Sequence, residues 1–382
     1  MIEEKTISKI FCSKEVTKLE NSPLLRNDEH LFTFSPFIGT EMYYKQPSFA
    51  YGYKIQECFR DVYPNNLINP TAIPFQTLVS LHSFEKIDNS SIIYNFIRYY
   101  LINEKNLNKE KIFIVLPEII EIQNLFKDFK NKIIVPQDNF RCKLPLEGEH
   151  FYIKVAYHYL NGFISLANFV IVNISNKSFQ LDSVIFPERI NMIFESKKYL
   201  YLQNKYQFIL NEVLKLGITD PEIQHFLIGN LIASVKLLSI TNNISSKKHG
   251  STIRRLLKKV YFECNIQNIT LSSNIGNIID SIIQHLEIQN ASPIKEIILY
   301  DYNNFLLSYS KYQKKIENKL NSIKVLNDNA IEKLYSTYGV DKRVIISLAQ
   351  NKGIKVIDNN EEDDLQLTYN FDISKNRFNK PL

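Results

Sequence analysis

The chain of 382 residues has no tryptophan, only 10 glycines and only 13 prolines. So few of these residues argue against collagen-like, propeller and linker-rich architectures. The aromatic content of 12%, with 22 tyrosines and 25 phenylalanines, is too high for a chain that is disordered over most of its length. With 45% hydrophobic residues, the sequence is long enough to bury large cores in two or three domains.

The cysteines are also few, and they lie far apart in the sequence, at Cys12, Cys58, Cys142 and Cys264. This spacing predicts neither a zinc ribbon nor a dense disulfide framework, and no structural metal is expected. We expect free, mostly buried thiols in a reducing compartment and therefore a cytoplasmic protein. The N-terminus is unlike a signal peptide, and the most apolar run, residues 163–174, is too short to span a membrane.

The charge is mildly basic, with 46 lysines and arginines against 40 acidic residues. This balance permits an RNA or nucleotide partner and does not require one. The densest basic cluster includes Arg254, Arg255, Lys258 and Lys259, which form two i, i+4 pairs if this segment is helical. Such a cationic stripe suits phosphate contacts with an RNA stem, which is recognised mostly by backbone and shape. An ordinary solvated helix face is the alternative interpretation.

The pattern of hydrophobic residues changes along the chain. Short β-branched or aromatic runs predict strands in the first half, at residues 111–116, 132–135, 152–155 and 169–173. From about Pro187 onward, apolar residues recur at helical spacing. Because the predicted strands are not separated by regular crossover helices, we expect an α+β fold with an antiparallel sheet, followed by an all-helical domain. The expected divisions are residues 1–195, residues 196–360 and a polar tail at 361–382.

No segment carries a Walker A loop or a GxGxxG, HExxH or GxSxG motif. Several short segments nevertheless occur in the order typical of one family. They are Gln56–Asp61 (QECFRD), Phe75, Leu81–Phe84 (LHSF), Asp138–Phe140 (DNF), Asn168–Val170 (NFV), Leu181–Ser183 (LDS) and Glu188–Arg189. In this order they resemble the catalytic motifs of alanyl-tRNA synthetases, which are class II aminoacyl-tRNA synthetases.

The resemblance continues into the helical half. The segment Gly250–Val260 (GSTIRRLLKKV) resembles a basic helix of that family's tRNA-recognition domain. Ile331–Gly339 resembles the segment that precedes the family's editing domain. The similarity is therefore collinear over nearly all of the chain, and the editing and C-terminal domains of the family have no counterpart in it.

The resemblance implies ATP-dependent activation of an amino acid, with Mg²⁺ accompanying the nucleotide and a tRNA acceptor stem as partner. Arg60 would hold the α-phosphate and the substrate carboxylate, and Arg189 the γ-phosphate, as expected of permanently charged planar donors. Asp182 would bind the amino group of the amino acid, which is alanine in the family. The remaining implied contacts are Asn168 and Val170 for the substrate, Phe75 and Phe84 for adenine stacking, and Arg254, Arg255, Lys258 and Lys259 for tRNA. The resemblance implies nothing about oligomeric state.

Among the departures from the family pattern, three bear on the substrate site. Val184 and Phe186 stand where the family has glycines that lie directly against the nucleotide. A phenyl ring there occupies volume that ATP would need. Arg141 replaces a tryptophan, and its cation would favour an acidic or otherwise anionic substrate group.

These departures leave three interpretations open. The first is an alanyl-tRNA synthetase-like enzyme that activates an amino acid and transfers it to tRNA or another acceptor. The second is a catalytically degenerate paralogue that binds tRNA or a protein. The third is a biosynthetic aminoacyl transferase with a small-molecule acceptor. The loss of the glycines favours the second interpretation, and the joint retention of Arg60, Asp182 and Arg189 favours the first and third.

Overall fold

The computed structural model describes residues 2–357, except for residues 29, 61–69, 176, 268, 270, 272–273 and 290–291. The chain divides into two compact units, of which the first ends at Gln203 and the second begins at Asn204. The boundary drawn from sequence, after residue 195, lies before this division. The polar tail predicted at 361–382 lies outside the described residues.

A nine-stranded sheet forms the body of the first unit, in the order β1-β2-β3-β9-β8-β7-β4-β5, with β6 paired to β7. The strands are β1 (Thr17–Lys18), β2 (Tyr51–Phe59), β3 (Phe75–Ile87), β4 (Ile112–Pro117), β5 (Lys132–Val135), β6 (Arg141–Cys142), β7 (His150–Tyr159), β8 (Gly162–Ser175) and β9 (Ser178–Ile185). The four strands predicted from sequence lie in β4, β5, β7 and β8. The expectation of an antiparallel sheet needs a correction, because β1 pairs with β2 and β4 pairs with β5 in parallel.

Helices cover the sheet of the first unit. They are α1 (Glu4–Phe11), α2 (Glu41–Lys45), α3 (Ser90–Asn95), α4 (Ile120–Leu125) and α5 (Pro187–Phe194). A π-helix, Phe96–Glu104, continues α3, and its Phe96 ring lies 5.5 Å from the ring of Phe169 in β8. Side chains alternate between the two faces of a strand. The α3 layer therefore packs on the face that carries Phe169, and the opposite face carries Asn168 and Val170.

The second unit is mainly helical. Its helices are α6 (Gln207–Leu214), α7 (Pro221–Thr241), α8 (Lys248–Ile266), α9 (Ile275–His285), α10 (Ser292–Leu320), α11 (Asp328–Tyr338) and α12 (Lys342–Asn351). The side chains of Asp220, Asn327 and Asp341 accept hydrogen bonds from backbone N–H groups at the starts of α7, α11 and α12. Gly339, in the left-handed conformation at φ 63°, ends α11.

The prediction of an all-helical second half needs a correction. In the second unit, β10 (Val325–Asn327) and β11 (Lys355–Ile357) form a small parallel sheet.

Among the described residues, α7 is the one helix long and apolar enough to cross a membrane by length and composition. Within its most apolar window, 78% of the residues are buried inside the protein, as in the core helix of a soluble domain.

Candidate functional site

The candidate site lies on one face of the large sheet, which we call the site face. Strand register places Tyr152, Val170 and Asp182 side by side across β7, β8 and β9. The next row contains Lys154, Asn168 and Val184. Three residues that the resemblance assigns to substrate binding, Asn168, Val170 and Asp182, thus share one surface because pairing aligns distant parts of the chain.

Asp182 is 3% exposed and sits beside a buried hydrogen-bond network. Ser80 Oγ lies 2.7 Å from His82 Nε2, and Tyr44 Oη lies 2.9 Å from His82 Nδ1. Tyr44 Oη donates to the carbonyl of Leu181, so it can only accept from His82. This assigns a proton to Nδ1 of His82 and leaves Nε2 to accept from Ser80.

The carboxylate of Asp182 is not satisfied by this network. Its Oδ1 lies 3.2 Å from His82 Nδ1, whose proton is donated to Tyr44, and among the described residues Oδ1 has no hydrogen-bond partner. Buried polar atoms are normally bonded, and a buried carboxylate without a donor is costly. The site therefore offers an acceptor suited to an ammonium group.

Asn168 is connected to Arg189 through one serine. The Ser165 hydroxyl donates to Oδ1 of Asn168 over 2.8 Å, and the Ser165 carbonyl accepts from Nη1 of Arg189 over 3.0 Å. Nε of Arg189 donates to the Thr71 carbonyl, also over 3.0 Å. Arg189 is only 4% exposed, and these carbonyls hold its guanidinium in place.

Arg60 and Arg189 lie close enough for their charges to interact. Burial lowers the pKa of Arg189, and the charge of Arg60 lowers it further. Burial also lowers the pKa of Arg60, while Cys58 and Tyr152 act in the opposite direction. Nε of Arg60 donates to the Phe34 carbonyl over 2.6 Å. The two arginines named by the resemblance are therefore neighbours, and we call the pair the cationic locus.

The side chains at the family's glycine positions fill part of this locus. The ring of Phe186, 1% exposed, packs with Cys58, Leu78 and Val184. The Cζ atom of Arg189 lies 4.0 Å from the centre of the same ring, a cation–π contact. Phe186 is the fourth residue after Asp182, about 13 Å further along an extended chain. The Asp182 end of the site face thus has an unsatisfied carboxylate oxygen, and the Phe186 ring fills the space beside Arg189.

Three residues assigned by resemblance do not join the site in the expected way. Phe84 is 1% exposed and lies among the rings of Tyr43, Tyr44, Phe49 and His82. The His82 ring is stacked on it, with ring centres 5.6 Å apart and an angle of 6° between the ring planes. An adenine would have to displace these rings, so Phe84 is a core residue.

Phe75 and Arg141 lie on the other face of the sheet. Phe75 pairs with Phe59, and strand alternation places its side chain on the sheet face opposite to that of Leu78 and His82. Arg141 pairs with Phe151 in register, and its guanidinium lies over the Phe151 ring at 5.5 Å. Its Nη1 is ion-paired with Glu149. Arg141 therefore lies away from Asp182 and Asn168, and its selection of an anionic substrate stays a prediction.

The four predicted RNA-binding cations all lie on α8, but they do not form one uniform stripe. Arg254 and Arg255 are exposed, whereas Lys258 and Lys259 are half-buried. Arg254 and Lys258 border a cavity together with Asp301 of α10. Burial lowers the pKa of Lys258, and the charge of Arg254 lowers it further. Arg255 and Lys259 are outside that cavity lining.

Sequence reasoning missed several polar residues of the site face. Lys54 and Lys154 are 1% and 2% exposed, and His82 is fully buried. Lys54 Nζ donates to Ser22 Oγ over 3.0 Å and to the Ile38 carbonyl over 2.8 Å. Lys154 Nζ lies 4.8 Å from the centre of the Phe140 ring. A charged residue in an apolar run with strand alternation was the available signal, because lysine is almost never fully buried without a partner.

Among the described residues, no group of three or more His, Cys, Asp and Glu side chains could hold a metal ion. Magnesium in nucleotide sites is bound largely by substrate phosphates and water, so it would enter such a site with the nucleotide.

Comparison with known proteins adds no family assignment: no family model matches the chain, and no curated protein matches it.

Proposed function

We propose that the first unit binds an amino acid on the site face and activates it with ATP, in the manner of a class II aminoacyl-tRNA synthetase, for transfer to tRNA or another acceptor. The observation that carries the proposal is the buried, hydrogen-bond-deficient carboxylate of Asp182. An α-ammonium group would supply the missing donor and the compensating charge. Asn168 and Val170, beside it in register, would orient and enclose the substrate.

Arg60 and Arg189 support the activation step. Forming an aminoacyl adenylate places negative charge on phosphate oxygens, and pre-positioned cations stabilise such charge. Arg189 is buried and donates to two carbonyls, whereas Arg60 is half-buried and donates through Nε to the Phe34 carbonyl. Arg60 is therefore the better candidate to contact the reacting carboxylate and α-phosphate.

Pyrophosphate exchange, tested with each of the standard amino acids, measures this activity directly. We expect exchange with at least one amino acid and a loss of about a hundredfold or more in Arg60→Ala, the magnitude typical of removing one transition-state donor. Arg98→Ala is the matched control, because Arg98 is exposed on the π-helix of the same unit. Equal exchange in both variants would contradict a role for Arg60.

The packing of Phe186 under Arg189 favours a second candidate function, amino-acid binding without activation. In that case no amino acid supports exchange, but calorimetry detects the binding of an amino acid. The variant Asp182→Asn should abolish this binding. Absence of both exchange and amino-acid binding would contradict both candidates. Incubation of an activated radiolabelled amino acid with tRNA and with small amines would identify the acceptor class.

For RNA, we propose that Arg255 and Lys259 contact the phosphates of an acceptor stem. Arg255→Ala with Lys259→Ala should weaken tRNA binding and reduce its salt dependence by roughly one unit of slope per lost phosphate contact. The control is Lys311→Ala with Lys314→Ala, two exposed lysines of α10. Identical binding by both double variants across salt concentrations would assign α8 to an ordinary solvated surface.

A further inference from the structure

The second unit contains a cavity of about 210 Å³ between α8, α10 and the end of α11. Arg254, Lys258 and Phe262 line one side, at i, i+4 and i+8 of α8. Residues of α10 line the other side, from Asp301 to Tyr312, and Tyr338 closes the end. The volume is below the roughly 300–1,000 Å³ of drug-sized sites, but the exposed lining residues Arg254, Asn304 and Ser308 leave one edge open, so a ligand can extend past it.

The charges in the cavity favour an anion. Arg254 and Lys258 repel each other. Burial is the larger cause of the lowered pKa of Lys258, and the charge of Arg254 lowers it further. Asp301 is the acidic residue in the lining; burial raises its pKa, while Arg254, Tyr261 and Lys258 oppose that rise. The lining therefore carries two cations against one carboxylate. A phosphate between Arg254 and Lys258 would offset their mutual repulsion.

The remaining lining is aromatic, with polar atoms at its edge. The rings of Phe305 and Tyr309 are stacked at 5.6 Å and 21°, and Phe262 meets Phe305 edge to face at 5.1 Å. Tyr312 and Tyr338 form a second pair at 6.0 Å. Asn304 and Ser308, both exposed, supply amide and hydroxyl groups beside these rings. Stacking on such rings is available to every nucleobase, because each has a π-face.

We propose that this cavity binds a nucleoside monophosphate, with its phosphate on Arg254 and Lys258 and its base against Tyr309, Tyr312 and Tyr338. The inference rests on the second unit alone and does not depend on amino-acid activation by the first. The same chemistry is present in a free mononucleotide and in the terminal nucleotide of an RNA. We assign the cavity to the free mononucleotide, because about 210 Å³ leaves no room for a second nucleotide.

The absence of tryptophan provides a sharp reporter. Tyr312→Trp introduces the only indole of the chain and keeps an aromatic wall in the cavity. Titration of this variant with AMP, GMP, CMP and UMP should change its fluorescence, and calorimetry on the unchanged chain should give the same order of affinities. Ribose 5-phosphate should bind at least about fivefold more weakly than the best nucleotide, since it lacks the stacked base.

Charge variants test the phosphate contacts. Lys258→Gln should weaken nucleotide binding about 10- to 100-fold, as expected for a lost charged hydrogen bond. Lys311→Gln is the matched control, an exposed lysine of α10 outside the cavity lining, and should leave the affinity unchanged. Thermal melts followed by circular dichroism show whether each variant is folded.

Three results would overturn the proposal: no mononucleotide binds at millimolar concentration, ribose 5-phosphate binds as tightly as the nucleotides, or Lys311→Gln weakens binding as much as Lys258→Gln. A short single-stranded RNA distinguishes the source of the ligand. If it binds no more tightly than the mononucleotide, the free nucleotide is supported. If it binds at least tenfold more tightly and Lys258→Gln removes that gain, the assignment to a free nucleotide is overturned.

Discussion

The phenyl ring of Phe186 separates the two functions proposed for the first unit, amino-acid activation with ATP and amino-acid binding without activation. It packs with Cys58, Leu78 and Val184 and lies against the guanidinium of Arg189. The same contacts that stabilise Arg189 also fill the space next to it. If a nucleotide binds beside Arg189, the ring has to move or the nucleotide has to take a different path.

Removing the ring should therefore affect stability and ATP binding in opposite directions. Phe186→Ala should lower the free energy of unfolding by about 3–5 kcal/mol, as for other buried phenylalanines. It should also tighten ATP binding, measured by calorimetry, because space opens beside Arg189. Phe169→Ala, in the core of the opposite sheet face, should cost similar stability without any gain in ATP binding. Equal ATP affinity in both variants would show that Phe186 does not limit nucleotide access.

The thiols behave differently according to burial. All four cysteines are free; Cys12 is exposed and the other three are buried. Burial raises the pKa of Cys58, Cys142 and Cys264 to about 12 each, so their thiolate fraction at pH 8 is about 10⁻⁴. In the unfolded chain these thiols lose their protons near pH 8.5, whereas in the folded chain they keep them up to about pH 12. The free energy of unfolding should therefore decrease as pH rises from about 8.5 towards 12.

A thiol-reactive dye at pH 8 should accordingly label one cysteine rapidly. Cys12→Ser should remove the fast phase, and denaturant should expose all remaining thiols. Rapid labelling of two or more cysteines in the folded protein would contradict the described burial.

At the scale of single elements, the sequence predicts the regular parts well and the polar interior poorly. Runs such as residues 111–116 predict β4 because their apolar residues are contiguous. The strand β2 has buried Lys54 and Gln56 on one face, so its hydrophobic alternation is interrupted. The polar atoms there are satisfied by residues far away in sequence, such as Ser22. No local pattern encodes those partners, and for that reason β2 and its role at the site are found only in three dimensions.

Two glycines near helix starts illustrate how the neighbouring atom decides the effect of the same substitution. A Cβ at Gly250, in the first turn of α8, would lie 2.5 Å from the backbone nitrogen of Ser245. A Cβ at Gly276, in α9, would meet the flexible end of Lys295, with Cε at 2.7 Å. The backbone of Ser245 cannot move away at low cost, whereas the Lys295 side chain can.

Gly250→Ala should therefore destabilise the protein, although alanine has a helix propensity about 1 kcal/mol better than glycine. Gly276→Ala should be neutral or stabilising for the same propensity reason. Chemical denaturation of both variants measures the difference. A stabilised Gly250→Ala protein would show that the start of α8 adjusts to the added methyl group.

At the scale of the whole molecule, the order of segments predicts a mixed α+β first half and a mainly helical second half. It does not predict where the first unit ends. Periodicity places a helix near residues 190–194, and a boundary directly after that helix is the simplest reading. The structure extends the unit to Gln203 through hydrogen bonds between segments distant in sequence. Leu200 N–H donates to the Pro70 carbonyl, and Gln203 Nε2 donates to the Glu188 carbonyl.

The two boundaries can be compared directly with fragments 1–195 and 1–203. The shorter fragment loses both of these hydrogen bonds and a third, from Tyr159 Oη to the Lys197 carbonyl. At roughly 1 kcal/mol each, the loss should lower its free energy of unfolding by about 3 kcal/mol. We expect the 1–203 fragment to unfold cooperatively in urea, since it contains the complete sheet and its helical layer, and the 1–195 fragment to unfold at a lower urea concentration. Equal midpoints for the two fragments would mean that residues 196–203 contribute nothing to the first unit and would return the boundary to the position that periodicity gives.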